Sequence, residues 1–240
     1  MTSPGTEINR IYARDDRAGS AFLLRQRGQL CGERQWTYDH CLRTGGLARR
    51  FALHLGASKM AAENLGLAVS CHDVGKMAVS AEVLDSTNGL TPDERAMVRD
   101  HAWQGGAMLR VSCQPLARLA ADIAENHHER WNGTGYAQKS GADIPLGAQI
   151  AALCDVFDSA TSNRPYHAAA PAYPVLAGML TARRPAFNPA LLEPFVMFCI
   201  DDCKDQLAPW QVGDLLAKVK NPPCSPPHST RPFPSPGVHP

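Results

Sequence analysis

Along this chain apolar residues recur three and four apart, the spacing of one helix face, and strand-like alternation is nearly absent. Thr91-Pro92-Asp93-Glu94 opens one helix: the threonine caps, the proline fits the first turn and the glutamate completes a capping box. Met97, Met108 and Leu109 continue its apolar face. Pro145 starts another, running through Ile150, Leu153, Val156 and Phe157, and Asn188-Pro189 opens one carrying Leu191, Leu192, Phe195, Val196 and Phe198. The segment from Thr37 to Leu55 reads as a helix stopped by Gly56, and Ser58 caps the next one toward Cys71. Helices separated by short Gly/Pro breaks predict an all-α, non-repetitive bundle.

The two ends differ from the middle. Residues 1–35 read as an N-terminal helical extension with apolar positions Ile8, Ile11, Phe22, Leu23 and Leu24, too short for an independent sensory domain. Those positions either pack on the bundle or join two subunits of a homodimer. The working domain is expected within residues 36–206, with a C-terminal segment over 207–240. From Asn221 to Pro240 there are eight prolines, which predict a disordered tail from about residue 221.

Composition narrows the function classes. A 44% hydrophobic content is enough to bury a core, yet no run approaches the ~18 apolar residues of a membrane span. The first residues carry no basic patch leading into an apolar run, so a cytoplasmic protein is expected. With 24 basic and 23 acidic side chains the net charge is +1, a poor match for long nucleic acids or anionic membranes but compatible with a small anionic ligand. The eight cysteines form no C-x-x-C pair and read as reduced packing residues.

The nine histidines are unevenly placed. His40, His72, His101, His127 and His128 fall with Asp73 and Asp155 inside the predicted bundle, whereas His54 reads as a packing or surface residue and His228 and His239 lie in the tail. Imidazole and carboxylate suit Fe, Mn, Zn or Ni, seven such groups suffice for two adjacent metals, and an aspartate can bridge two cations. In His72-Asp73-Val74-Gly75-Lys76, two ligand types and a cation precede and follow a glycine that permits close approach. His72 and Lys76, four apart, are expected on one helical face. Leu65, Leu67, Ala68 and Val69 before them indicate a cluster emerging from a buried helix, where ionisable groups need a partner or a metal.

His72-Asp73-Val74-Gly75-Lys76 followed by His127-His128-Glu129-Arg130-Trp131-Asn132-Gly133-Thr134-Gly135-Tyr136 resembles the HD-GYP branch of the HD hydrolase superfamily. Tyr38-Asp39-His40 with Arg43, Gly89-Leu90-Thr91 leading to His101, Asp155-Val156-Phe157-Asp158, and Thr161 through Tyr166 extend the resemblance over about 170 residues. It implies a multi-helix HD-domain bundle with a metal site in its centre. The implied activity is a metal-dependent phosphodiesterase converting cyclic di-GMP, a bacterial second messenger, to linear pGpG and on to GMP. Two divalent ions are implied, Fe or Mn first, with Ni, Zn or Mg as substitutes. His40, His72, Asp73 and Asp155 correspond to one metal set; His101, His127 and His128 correspond to the second, with Asp73 bridging.

By the same resemblance Lys76 would stabilise phosphate charge and protonate the leaving group, with Asp158 orienting Lys76 or the water. Arg164 would grip a phosphate or guanine edge through its planar fork. Tyr136 and Trp131 would shape the lip or present a surface to a partner, Tyr136 as a substrate-binding residue and Trp131 otherwise as packing. Glu129 and Arg130 would either orient His127 or His128 or pair within the loop. Three positions depart from the pattern. Ala137 stands where the family has proline, so a less rigid loop is expected. Trp36 stands where members with a third metal carry glutamate, so two metals are expected. His167 stands where Lys or Arg is usual, so a weaker or pH-dependent substrate contact is expected. Two other readings stay open: a non-catalytic module binding a cyclic dinucleotide, or a partner such as a cyclic di-GMP synthase, and a hydrolase acting on another cyclic dinucleotide or an alarmone.

Overall fold

The computed structural model describes residues 2–32, 34–86, 89–163 and 168–222. Among them stand eleven α-helices and no strand: α1 (Pro4–Tyr12), α2 (Arg17–Gly28), α3 (Gln35–His54), α4 (Lys59–Val69), α5 (Ala81–Leu84), α6 (Pro92–Arg110), α7 (Pro115–Asn126), α8 (Leu146–Thr161), α9 (Ala172–Leu180), α10 (Pro189–Asp202) and α11 (Pro209–Lys220). The expected all-α class is what the chain adopts. No described helix is long and apolar enough to cross a membrane.

Local chemistry starts and stops these helices where the sequence indicates. Ser58 Oγ accepts the Ala61 N–H at 3.3 Å, and the Thr91–Glu94 capping box closes in both directions. α3 ends at His54, and Gly56 takes a φ of +85°, which favours glycine. Asp16 does double duty: Oδ1 accepts from Gly19 N at the start of α2, and Oδ2 from Leu116 N at the start of α7. That single carboxylate joins two helix N-termini, whose dipoles favour it.

One expectation for α6 is corrected. Met97 is 58% exposed, and the buried stripe runs through Val98, His101, Ala102, Gly105, Gly106 and Leu109. The stripe holds the helical period but centres on a histidine and two glycines, so hydrophobicity alone points one residue off.

Helices α3, α4, α7 and α8 form the centre, with α6 leaning on α7 and on the 3-10 turn Val74–Ala78. α8 is buried from Gly147 through Ser159 except at Gln149, and apolar nearly all round, which marks a helix enclosed by its neighbours. α1 and α2 cover α4 and α7; α9, α10 and α11 close the opposite side. Ile8, Tyr12 and Leu23 belong to the same apolar cluster as Phe51, Leu65, Ile123, Ile150 and Phe195, so these N-terminal positions pack on the bundle, while Leu24 stays half exposed. At the other end Leu215 of α11 joins that cluster. Most of the predicted tail, residues 223–240, lies outside the described residues. The seven described cysteines are free, and burial pushes the Cys71 thiol up to about 12, as packing residues require.

One glycine decides where the site can form. A Cβ on Gly75 would stand 2.0 Å from the His101 carbonyl oxygen and 2.4 Å from the Gly105 nitrogen. Only a residue without a side chain lets the turn carrying Asp73 lie flat against α6.

Candidate metal centre

Five elements converge beneath the surface. α3 supplies His40, and the turn after α4 supplies His72 and Asp73. α6 supplies His101, the end of α7 supplies His127 and His128, and α8 supplies Asp155. All seven side chains are at most 7% exposed. One group of potential ligand atoms comprises His40, His72 and Asp73; another comprises His101, His127 and His128; within each the atoms lie within 4.8 Å of one another.

Asp73 stands between the two groups. Its Oδ1 faces His101 Nε2 at 3.1 Å and His127 Nε2 at 3.7 Å, while its Oδ2 faces His72 Nε2 at 3.5 Å and His40 Nε2 at 3.8 Å. Asp155 Oδ1 approaches His40 Nε2 at 3.2 Å and accepts a hydrogen bond from Ser159 Oγ at 3.0 Å. One carboxylate thus serves two histidine groups with separate oxygens.

The outward nitrogens fix the tautomers. His72 Nδ1 meets the Val69 carbonyl at 3.0 Å, His127 Nδ1 meets that of Ala124 at 2.8 Å, and His101 Nδ1 meets that of Val98. A carbonyl only accepts, so each Nδ1 carries a proton, and in the neutral ring each Nε2 turns its lone pair inward. The consequence is plain at His101 and His127, whose Nε2 atoms stand 3.4 Å apart. Two lone pairs at that separation repel unless a cation lies between them. Burial, with His72 and His101 adding to it, holds the His127 ring well below the usual histidine range, so His127 keeps its Nε2 lone pair toward His101.

At His40 and His72, with Nε2 atoms 3.3 Å apart, a proton can stand in. Burial opposes charge on His40, but the Asp155 and Asp158 carboxylates outweigh it and raise the ring. Burial would raise Asp73, yet Lys76, His72 and His101 hold it well below the carboxylate range; His40 does the same for Asp155. Borderline nitrogen donors, ionised oxygen donors and uncompensated lone pairs fit divalent transition-metal ions at both groups.

The neighbouring residues revise several expectations. His72 and Lys76 do not share an α-helical face, because α4 ends at Val69 and the chain tightens into a 3-10 turn. Lys76 Nζ instead reaches back to Asp73 Oδ2 at 2.6 Å. Asp158 turns to His40, not to Lys76: its Oδ2 accepts from His40 Nδ1 at 2.7 Å, and Arg43 Nε donates to its Oδ1 at 2.8 Å. Replacing Asp158 with alanine strips His40 of that acceptor, and metal affinity should fall by about 10–100-fold in a direct titration.

Glu129 does not hold a histidine nitrogen. Its carboxylate accepts the backbone N–H groups of Ala137 at 2.7 Å and Lys139 at 2.8 Å. The alanine that replaces proline therefore supplies a tether that a proline, lacking N–H, could not, and the expected loss of rigidity is offset. Arg130 donates to the carbonyls of His127 and Glu129. Tyr136 lies on His128 with ring centroids 4.6 Å apart, and Trp36 lies parallel to His40 at 5.4 Å while its Nε1 donates to the Asn163 carbonyl. Arg164 and His167 fall outside the described residues.

Sequence reasoning missed Ser159 and Arg99. Ser159 is four residues after Asp155, a spacing that was legible. Arg99, whose guanidinium carbon stands 4.4 Å from the centroid of the Tyr136 ring, sits only two residues before His101, and no spacing rule points to it.

Comparison with known proteins places the chain in a family. The family model for the HD domain matches residues 23–191. A cyclic di-GMP phosphodiesterase of Thermotoga maritima is 32% identical over 161 residues, covering 67% of this chain and 44% of the relative. A cyclic di-GMP phosphodiesterase of Pseudomonas aeruginosa is 38% identical over 136 residues, 55% of this chain and 32% of that protein. A 3′3′-cGAMP-specific phosphodiesterase of Vibrio cholerae is 34% identical over 131 residues, covering 54% and 25%. The chain spans less than half the length of each of these curated relatives. Among solved structures, an HDG"Y"P protein from Bdellovibrio bacteriovorus shares the fold with a TM-score of 0.52 at 17% identity, over 67% of this chain and 51% of that one. With the family match running from α2 into α10 and enclosing every histidine and aspartate of the centre, this chain belongs to the HD-domain family.

Proposed function

We propose that this chain hydrolyses cyclic di-GMP at the paired histidine and aspartate centre, opening the ring to pGpG and cleaving that product on to GMP. The observation that carries the reading is Asp73, with one oxygen toward each histidine group. His40, His72, Asp73 and Asp155 would hold one cation, and Asp73, His101, His127 and His128 the other, with Fe or Mn as the native choice. Two divalent cations supply, when bound, positive charge against the phosphoryl oxygens and a more acidic water.

The chain's own residues do the positioning. Val69, Val98 and Ala124 carbonyls hold protons on the outer nitrogens of His72, His101 and His127, and Asp158 does so for His40. In the metal-free chain Lys76 is held as the ammonium: burial lowers it, but Asp73 outweighs burial and raises it. That ammonium, 2.6 Å from Asp73 Oδ2, would stabilise phosphate charge at the centre and supply a proton to the leaving group. Arg164 and His167, which follow α8, would meet a phosphate or guanine edge.

Incubating the Mn2+- or Fe2+-loaded chain with cyclic di-GMP and separating products by chromatography tests the proposal. Appearance of pGpG, absent with Asp73→Asn, is expected; a metal-loaded chain that leaves the nucleotide intact refutes it. A second reading has support in the Vibrio cholerae relative, named as specific for 3′3′-cGAMP. A higher kcat/KM for that dinucleotide than for cyclic di-GMP would favour it.

A further inference from the structure

Four of the five histidines in the centre are braced at Nδ1, His40 by Asp158 and His72, His101 and His127 by backbone carbonyls. His128 is not: its Nδ1 is buried and has no hydrogen-bond partner. Outer partners set a ligand's ring orientation and basicity, and losing one costs about 10–100-fold in metal affinity. This ring is instead contacted on its face.

Tyr136 lies on it, the two rings tilted by 34°. On the Tyr136 ring in turn sits the guanidinium of Arg99, at 4.4 Å, an attractive placement for a planar cation. Arg99 belongs to α6, two residues before His101, so brace and ligand share one rigid element. The loop side of the tyrosine is held as well, by the Glu129 carboxylate, 2% exposed, on the N–H groups of Ala137 and Lys139.

We propose that Arg99 is a positioning residue for His128, acting through Tyr136. The Arg99–Tyr136 stack holds the face of the His128 ring and sets the cation affinity of the His101, His127 and His128 half of the centre. This rests on the cation-binding reading above and extends it to a residue that touches neither metal nor substrate.

Titrating the metal-free full chain with Mn2+ tests the inference on wild type, Arg99→Ala, Arg99→Lys, Tyr136→Ala and Tyr136→Phe. Arg99→Ala and Tyr136→Ala should weaken one class of Mn2+ site by ~10-fold and leave the other within ~2-fold. Tyr136→Phe keeps the ring and should retain more affinity than Tyr136→Ala, and Arg99→Lys should recover part of the loss. Arg99 is exposed, so its metal-free variants should melt near wild type, and Arg99→Ala decides the matter even if Tyr136→Ala fails to fold. Unchanged affinity in both classes overturns the proposal, as does equal weakening of both, which a general loosening would produce. A wild-type chain that takes up no Mn2+ overturns the functional reading itself, and this inference with it.

Discussion

Asp73→Asn should cost the chain metal at both halves of its centre and reduce phosphodiesterase turnover by ~10³-fold or more. Charge stabilisation at a phosphoryl group is worth several kcal/mol, and about 1.4 kcal/mol corresponds to each tenfold in rate. The geometry makes the expectation specific. Oδ1 serves the His101 and His127 side and Oδ2 the His40 and His72 side, so one substitution weakens two groups. Asp155 lies against His40, and Asp155→Asn should therefore cost metal on that side alone. Metal analysis and a Mn2+ titration of both variants check the contrast. If Asp73→Asn loses metal from one side only, Asp73 does not bridge.

Asparagine also removes the partner of Lys76, whose ammonium stands 2.6 Å from Asp73 Oδ2. Lys76 is partly exposed, so leaving its ammonium unpaired costs less than the ~3–5 kcal/mol of a fully buried ion. The metal-free variant should accordingly unfold at lower denaturant than wild type, a shift that chemical denaturation reads separately from activity.

Gly75→Ala should be the most damaging substitution outside the ligands. The added methyl would meet the His101 carbonyl oxygen at 2.0 Å and the Gly105 nitrogen at 2.4 Å, both of them backbone atoms of α6 that cannot swing aside. The Val74–Ala78 turn must retreat, taking Asp73 away from His101. Overpacking of this kind costs about 3 kcal/mol or more, and a displacement near 1 Å at a reacting centre costs on the order of 10²-fold in rate. Denaturant unfolding and metal titration should fall together. Gly46→Ala is the control: a Cβ there meets only the Arg50 side chain at 3.8 Å, on a helix, and should be neutral or stabilising by up to ~1 kcal/mol.

Much of the site was legible because its chemistry is local. His72-Asp73, His127-His128 and the Gly135-Tyr136 loop are contiguous in the chain, and capping at Ser58 and Thr91 needs only neighbours within one helical turn. The role of Asp158 was not legible, since its partners His40 and Arg43 lie 118 and 115 residues away. For Glu129 the sequence left histidine orientation and loop pairing both open, and the loop folding back over it decides for the second. The α6 stripe shows a different failure. His101 and the two glycines carry no hydrophobic signal, yet they are buried because α6 must meet the Gly75 turn and α7.

By itself, the sequence determined the helical class, the candidate cation-binding residues, and the helix starts at Ser58, Thr91, Pro145 and Asn188, because caps, periodicity and donor chemistry are properties of a few adjacent residues. Tertiary structure alone decided that Asp73 divides its oxygens between two histidine groups, that Lys76 pairs with it, and that Asp158 braces His40. It also decided that Ile8, Tyr12 and Leu23 complete the core. The physical reason is that these depend on which helix faces meet. A side chain's partners across a packed interface follow from crossing geometry and close approach, which no spacing along the chain encodes.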